Sequence, residues 1–365
     1  MIYLDYQATT PLAPEAREAM LPWLSGPEAM GFANPHSPHR PGRAAAAAVD
    51  LAREQVAALL PPGGNVVFTG SATEALNLAI KGTARGDGTN VFAASAIEHA
   101  AVLDCGESMR GNSDVFTISV DEAGLVDPEA ALPDQLQLLA VMHVNNEIGT
   151  VQPVERLCER VREHSGYVLC DAVQSYGKMP LPDGPDMIAL SAHKLYGPKG
   201  IGALWVRDGI AVAPLIHGGG QEAGLRSGTL SPALCAGFGA AAALAKARMD
   251  EDAAHVAELW VTARDIFAGW TLNGSAEQRW HGNLNLRKDG LDVARLMSDL
   301  RDLAFSAGSA CASGSGRPSH VLRAIGLTDR QAKSSIRIGF GRYTRPEDLE
   351  DACARIVAAA AAQGV

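Results

Sequence analysis

Met187-Ile188-Ala189-Leu190-Ser191-Ala192-His193-Lys194-Leu195-Tyr196-Gly197-Pro198 joins a short unbroken apolar run to a lysine and then to a Gly/Pro turn. A run of that length, bounded by turn residues, reads as a buried strand of an α/β sheet. The same unit recurs at Val66 to Thr69, Val91 to Ser95, Val115 to Val120, Leu138 to Val144, Tyr167 to Cys170 and Ile201 to Val206, with helical stretches between. That alternation predicts an α/β fold with a mostly parallel, seven-stranded sheet covered on both faces. Ala44 to Leu60 reads as an amphipathic helix stopped by Pro61-Pro62-Gly63-Gly64. An alanine-rich helix from about Pro232 to Glu258 leads into a smaller α+β part with short strands such as Leu284 to Leu286 and Ile336 to Gly339. Gly237-Phe238-Gly239 within that helix has no strand before it, so it reads as close helix packing rather than a nucleotide loop.

Strand ends form the floor of an α/β site, and three of them carry candidate chemistry. Lys194, beside Ser191 and His193, is set to form a Schiff base with pyridoxal phosphate, although alone it reads equally as a solvated loop lysine. In Val168-Leu169-Cys170-Asp171-Ala172-Val173-Gln174 a strand ends on a carboxylate with an amide three positions on. Asp171 could keep a pyridine nitrogen protonated and Gln174 could donate to a phenolic oxygen; the plain alternative for Asp171 is a helix cap. Thr69-Gly70-Ser71-Ala72-Thr73-Glu74 is a strand end, a turn of small residues and a helix start, with Ser71 and Glu74 spaced as a capping box. Its free amides, the helix dipole and the Thr73 hydroxyl make an anion site.

These residues, together with Tyr3-Leu4-Asp5-Tyr6-Gln7-Ala8-Thr9-Thr10-Pro11, Met142-His143-Val144-Asn145-Asn146-Glu147-Ile148-Gly149, His217-Gly218-Gly219-Gly220-Gln221-Glu222 and Arg226-Ser227-Gly228-Thr229, resemble the cysteine desulfurases. The resemblance spans residue 3 to about 345. It implies a class V aminotransferase-fold, fold-type I enzyme using pyridoxal phosphate, with a large domain over 15–250 and a small domain from 1–14 and 251–365. It further implies that Lys194 holds the cofactor, Asp171 pairs with its ring nitrogen, Gln174 with its phenolic oxygen, and that His99 stacks on the ring and moves protons. Ala72, Thr73, Ser191 and His193 would hold the phosphate, joined by Thr229 of the partner subunit in a homodimer. Asn145 would lie beside cofactor and substrate, Arg337 would clamp the substrate carboxylate, and Asn34 and Arg226 are the further substrate-binding candidates.

Cys311, in Ser306-Ala307-Gly308-Ser309-Ala310-Cys311-Ala312-Ser313-Gly314-Ser315-Gly316, lies among small residues only, which argues against a core position and for a nucleophile on a mobile loop. The segment resembles the long loop of the group I desulfurases, the iron-sulfur-cluster and nitrogen-fixation branch. The implied reaction removes sulfur from L-cysteine, leaves L-alanine and loads a persulfide on Cys311, which a sulfur-acceptor or iron-sulfur scaffold protein then receives. Selenocysteine lyase, cysteine sulfinate desulfinase and transaminase chemistry share the frame, but a transaminase has no need of Cys311. Three departures from the family pattern stand out: Gly70-Ser71 in reversed order, Ala100 where a lysine is common, and an end at Val365 without the tail by which longer relatives dock a scaffold.

The 365 residues, 47% of them hydrophobic, suffice for two cores. With 31 basic against 41 acidic residues, a net charge of -10 and no basic run, direct nucleic-acid binding is not expected. No stretch reads as a membrane span or signal peptide, so the expected location is cytoplasmic. The six cysteines form no C-x-x-C pair and the histidines do not cluster, so no resident metal is expected, only a transient iron-sulfur contact at Cys311.

Overall fold

A computed structural model of the chain describes residues 1–84, 90–308 and 318–365; Cys311 lies outside them. The elements run β1 (Ile2–Tyr3), α1 (Pro14–Met20), α2 (Arg40–Ala57), β2 (Gly64–Thr69), α3 (Ala72–Gly82), β3 (Asn90–Ser95), α4 (Ala100–Ser108), β4 (Ser113–Ile118), β5 (Leu138–Met142), α5 (Val154–Glu163), β6 (Tyr167–Asp171), β7 (Met187–Ser191) and β8 (Gly202–Arg207). After these come α6 (Pro232–Ile266), β9 (Thr271–Leu272), β10 (Asn283–Arg287), α7 (Val293–Asp299), β11 (Leu303–Ala304), β12 (Ser306–Ala307), α8 (His320–Ala324), α9 (Asp329–Lys333), β13 (Ser335–Gly339) and α10 (Pro346–Ala361).

The expected apolar runs become one seven-stranded sheet of order β2-β8-β7-β6-β5-β3-β4. Five strands pair in parallel, whereas β8 is antiparallel to both β7 and β2. The reversal follows from the short connection through Gly197 and Pro198, which cannot make the crossover a parallel pair needs. Every residue of β5 and β7 is buried, as expected for strands covered on both faces. Side chains alternate accordingly. Ile188 and Leu190 enter the core shared with α2, α5 and α6, and Met187 and Ala189 enter the core shared with α3 and α4. Helix α2 begins earlier than the sequence suggests because His39 caps it, its Nδ1 accepting the Gly42 amide at 3.1 Å. Helix α6 runs further, to Ile266, and a Cβ on its Gly239 would stand 2.7 Å from the Ala52 Cα of α2, so the glycine pattern serves close helix packing.

A second, four-stranded antiparallel sheet has the order β12-β13-β10-β9. Its core combines Leu284, Ile336, Ile338, Leu349 and Ile356 with Phe267 and with Leu4 from the N-terminal stretch, whose strand β1 pairs in parallel with β11. The chain start therefore belongs with the C-terminal sheet, and Tyr3 to Pro11 is free to cross to the ends of the large sheet.

Candidate active site

A cavity of about 320 Å³ opens where β5, β6 and β7 end and α3 begins, a volume suited to a small cofactor. Its walls include Ser71, Ala72, Thr73, His99, Asn146, Asp171, Gln174, Ser191, His193, Lys194 and Arg337, with Leu76, Val144 and Val173 as apolar surface. The residues expected from three separate strand ends thus meet in one place. The approach is close because β8 lacks a side chain there. A Cβ on Gly202 would lie 2.7 Å from the Ala72 nitrogen, so glycine lets β8 pass directly behind the anion turn.

Lys194 extends toward the N-terminal stretch, its Nζ donating to the carbonyls of Gln7 and, at 2.7 Å, Ala8. Asp171 is buried, and burial pushes its carboxyl up, while the Val173 amide at 2.9 Å and the nearby His99 and Lys194 pull it back. A cationic ring nitrogen at that carboxylate would complete the compensation. Gln174 gives one amide hydrogen to the Gln7 carbonyl at 3.0 Å, and its buried Oε1 has no partner among the described residues. The second amide hydrogen and that oxygen remain for a bound group.

His99 caps α4, its Nδ1 accepting the Ala101 amide at 3.1 Å. That bond assigns the ring proton to Nε2. Burial, then the nearby Lys194 and His320, lower the imidazole below its ordinary value against the pull of Asp171, so the ring is neutral. His193 is pushed down to about 4 by burial and by Lys194, Lys199 and Lys178, and its Nδ1 contacts Thr9 Oγ1 at 3.1 Å. At the other end Ser71, Ala72 and Thr73, where α3 starts, line the cavity. Arg337 is 1% exposed: Nη1 donates to the Asn146 carbonyl at 3.0 Å, Nη2 to Asp5 at 2.8 Å, and Nε has no partner among the described residues. A lysine, a carboxylate, a flat imidazole, a helix N-terminus and a guanidinium fit a pyridine aldehyde phosphate and an amino acid.

Three expected site residues, Asn145, Arg226 and Asn34, lie outside the cavity wall, and the capping box forms only in part. Asn145 does not face the cavity: its Nδ2 donates to the Ile97 carbonyl at 2.8 Å and its Oδ1 accepts the amides of Glu147 and Ile148 at 2.8 and 2.9 Å. Those bonds consume its polar capacity in shaping the turn, and the next residue, Asn146, lines the cavity instead. Arg226 is held by Glu74, Nε to Oε1 at 2.8 Å, and is not part of the cavity wall. The same contact leaves the capping box half formed. Ser71 accepts the Glu74 amide at 3.2 Å, but the Glu74 carboxylate turns to Arg226 and to the Gly70 amide at 2.7 Å. Asn34 is exposed, folds back onto the His36 amide at 2.8 Å, and also lies outside the wall. Thr229, expected at the phosphate of the partner subunit, is exposed and does not line this chain's own cavity. Sequence reasoning missed Asn146, the Gln7 and Ala8 carbonyls and the Asp5 carboxylate; the only signal for them was their place within motifs given no individual role.

The profile of the class V aminotransferases matches residues 2–351. The cysteine desulfurase IscS of Rickettsia bellii (strain OSU 85-389) is 41% identical over 366 residues, covering 96% of this chain and 88% of the relative. The chain belongs to the cysteine desulfurases of the class V aminotransferase family. Among solved structures, a NifS-like protein superposes on 97% of this desulfurase-family chain and 98% of its own with a TM-score of 0.89 at 32% identity. A structure titled SspA in complex with cysteine covers 94% of this chain and 100% of its own, with a TM-score of 0.82 at 36% identity. Membership in this desulfurase family carries dependence on pyridoxal phosphate, which agrees with the donor set of the cavity.

Proposed function

We propose that this chain is a pyridoxal-phosphate-dependent cysteine desulfurase that converts L-cysteine to L-alanine and carries the released sulfur as a persulfide on Cys311. The observation that carries this reading is that Lys194 and Asp171, at the ends of adjacent strands, face one cavity that also receives the start of α3 and Arg337. When bound, the cofactor supplies an electron sink for the substrate Cα and so weakens the bond from Cβ to sulfur. Lys194 is the attachment point and, once released, the base that takes the Cα proton at Nζ. Asp171 holds a proton at the ring nitrogen, and Gln174 offers its second amide hydrogen to the phenolic oxygen. Ala72, Thr73, Ser191 and His193 are the phosphate partners. His99 would lie against the cofactor ring and exchange a proton at Nε2, because Nδ1 is committed to Ala101. Arg337 would take the substrate carboxylate, and Asn146, in place of Asn145, would adjoin it.

The Cys311 thiolate then attacks the substrate sulfur: a sulfur-sulfur bond forms, the carbon-sulfur bond breaks, and its electron pair passes to the fragment that is protonated to alanine. The other cysteines support this choice by their character. Cys105, Cys158, Cys170, Cys235 and Cys353 are buried, and burial pushes Cys158, Cys235 and Cys353 up to about 12. Those free thiols also suit a reducing cytoplasm. No helix among the described residues is long and apolar enough to cross a membrane. We assign 15–250 to a large domain and 1–14 with 251–365 to a small one, Thr229 to the phosphate of the other subunit in a homodimer, and the persulfide to a sulfur-acceptor or iron-sulfur scaffold protein.

The test is incubation of the purified enzyme with L-cysteine and a reductant, with sulfide and alanine assayed together. The reading requires equal amounts of both, and loss of both in Lys194→Ala together with loss of borohydride-fixed cofactor. Alanine without sulfide, or fixation on Lys199, contradicts it.

A further inference from the structure

The short helix α8 rests on both loops that shape the cavity, and only Pro318 and Ser319 separate it from the stretch 309–317 that holds Cys311. Ser319 and Glu147 are both almost fully buried, and the Ser319 hydroxyl donates to Glu147 Oε2 at 2.5 Å while accepting the Leu322 amide at 3.1 Å. The next residue, His320, contacts the Glu98 carbonyl with Nε2 at 2.9 Å; a carbonyl only accepts, so Nε2 carries the hydrogen. Glu98 precedes His99, and Glu147 follows Asn146, so two consecutive residues of the chain bond to the immediate neighbours of two cavity-wall side chains. Behind them Val321, Leu322 and Ile325 pack against Ile97 and Ile148, one from each loop. The Glu147 side is further fixed from below, since its carbonyl accepts Asn283 Nδ2 at 3.1 Å and Asn285 Nδ2 at 3.0 Å from β10.

A helix that only filled the core would need the apolar contacts alone. Two directed polar bonds, one of them a buried carboxylate to a hydroxyl, add a fixed register along and across the loops. We propose that Glu147 and His320 are positioning residues for the sulfur-abstraction step: by clasping Ser319 and α8 to the loops of Asn146 and His99, they set where the chain carrying Cys311 departs relative to the bound substrate. Neither touches the reacting atoms. This inference rests on the desulfurase reading. Its consequence is selective, because attachment of cysteine at Lys194 needs no register of the Cys311 stretch, whereas attack on the substrate sulfur does.

The experiment follows two steps in the holoenzyme after mixing with L-cysteine: the absorbance change of the cofactor, and persulfide on Cys311 by quenched-flow mass spectrometry. Glu147→Ala and His320→Leu are expected to slow persulfide formation about tenfold or more, with the absorbance step within about twofold of wild type, the loss of one positioning bond. Glu147→Gln, which keeps an acceptor for Ser319, and His320→Gln, which keeps a donor for the Glu98 carbonyl, should restore most of the rate. In cofactor-free protein the same two disruptive variants should raise amide exchange over 319–325. The clasp is overturned if folded Glu147→Ala and His320→Leu form persulfide at the wild-type rate, if both steps slow equally, or if the conservative variants rescue nothing. A wild type that forms no persulfide overturns the desulfurase reading instead, so the two failures are distinct.

Discussion

Arg337 and Asp5 pair at 2.8 Å across the junction between β13 and the N-terminal stretch, with the arginine buried and the aspartate partly so. The pair fixes the guanidinium plane at the cavity wall, and the proposed role of Arg337 is to receive the substrate carboxylate there. Arg337→Ala should raise the KM for L-cysteine by about 10- to 100-fold, the range for a lost charge-assisted contact. Arg337→Lys recovers only part, and Asp5→Ala gives a smaller rise through loss of aim. Steady-state kinetics on the three variants check this; an unchanged KM in all three moves the carboxylate elsewhere.

The two adjacent asparagines should separate cleanly. Asn145→Ala strands the amides of Glu147 and Ile148 and the Ile97 carbonyl, so it should cost on the order of 2 to 3 kcal/mol in denaturant unfolding. Asn146→Ala should leave stability nearly unchanged and weaken cysteine turnover. The opposite pattern restores Asn145 as the contact residue.

Lys178 is half-buried with its Nζ enclosed and without a hydrogen-bond partner among the described residues, over the Trp280 ring at 4.5 Å, and burial followed by Lys194 pushes its amine down to about 7. Between about 7 and the ordinary 10.5 the unfolded chain therefore holds a proton that the folded one lacks. The contribution of this group makes stability rise with pH across that window, and the penalty is full below it. Lys178→Met should flatten that part of the slope and stabilise the protein at pH 6 by on the order of 1 kcal/mol, part of the gain being offset by the lost cation-π contact. Unfolding at a series of pH values, compared between the two proteins, reads this directly; equal slopes contradict it.

Thr229 should act on the neighbouring subunit. Mixing Lys194→Ala subunits with subunits disabled at Thr229 then regenerates one intact site per heterodimer, because one site receives both native residues. Activity measured after subunit exchange under mild denaturant checks it. A fully active monomer in sedimentation, or no recovery after proven exchange, returns Thr229 to an ordinary loop role.

The sequence made the large sheet and the strand-end residues that meet at the cavity legible for a local reason: an apolar run followed by Lys194 or Asp171 carries both the strand and its polar end in one short window. The turn at Ser71 to Glu74 was legible to the same extent, but the partner of Glu74 was not, since Arg226 arrives from far along the chain. The choice between Asn145 and Asn146 depends on which side chain the turn folds inward, and adjacent identical residues give no pattern to decide it. Lys194 bonding to the carbonyls of Gln7 and Ala8 was hidden for a related reason, as backbone acceptors have no residue type to recognise. The direction of β8 was settled by connection length rather than by anything in the strand itself.

The central claim is that sulfur passes from L-cysteine to Cys311. Brief exposure of the holoenzyme to L-cysteine, rapid alkylation, and peptide mass spectrometry test it most directly. The account predicts one added sulfur on the Cys311 peptide, matched by one alanine, and neither in Lys194→Ala. Added sulfur on Cys105, Cys158, Cys170, Cys235 or Cys353 instead, or alanine formed at the full rate by Cys311→Ser, contradicts it.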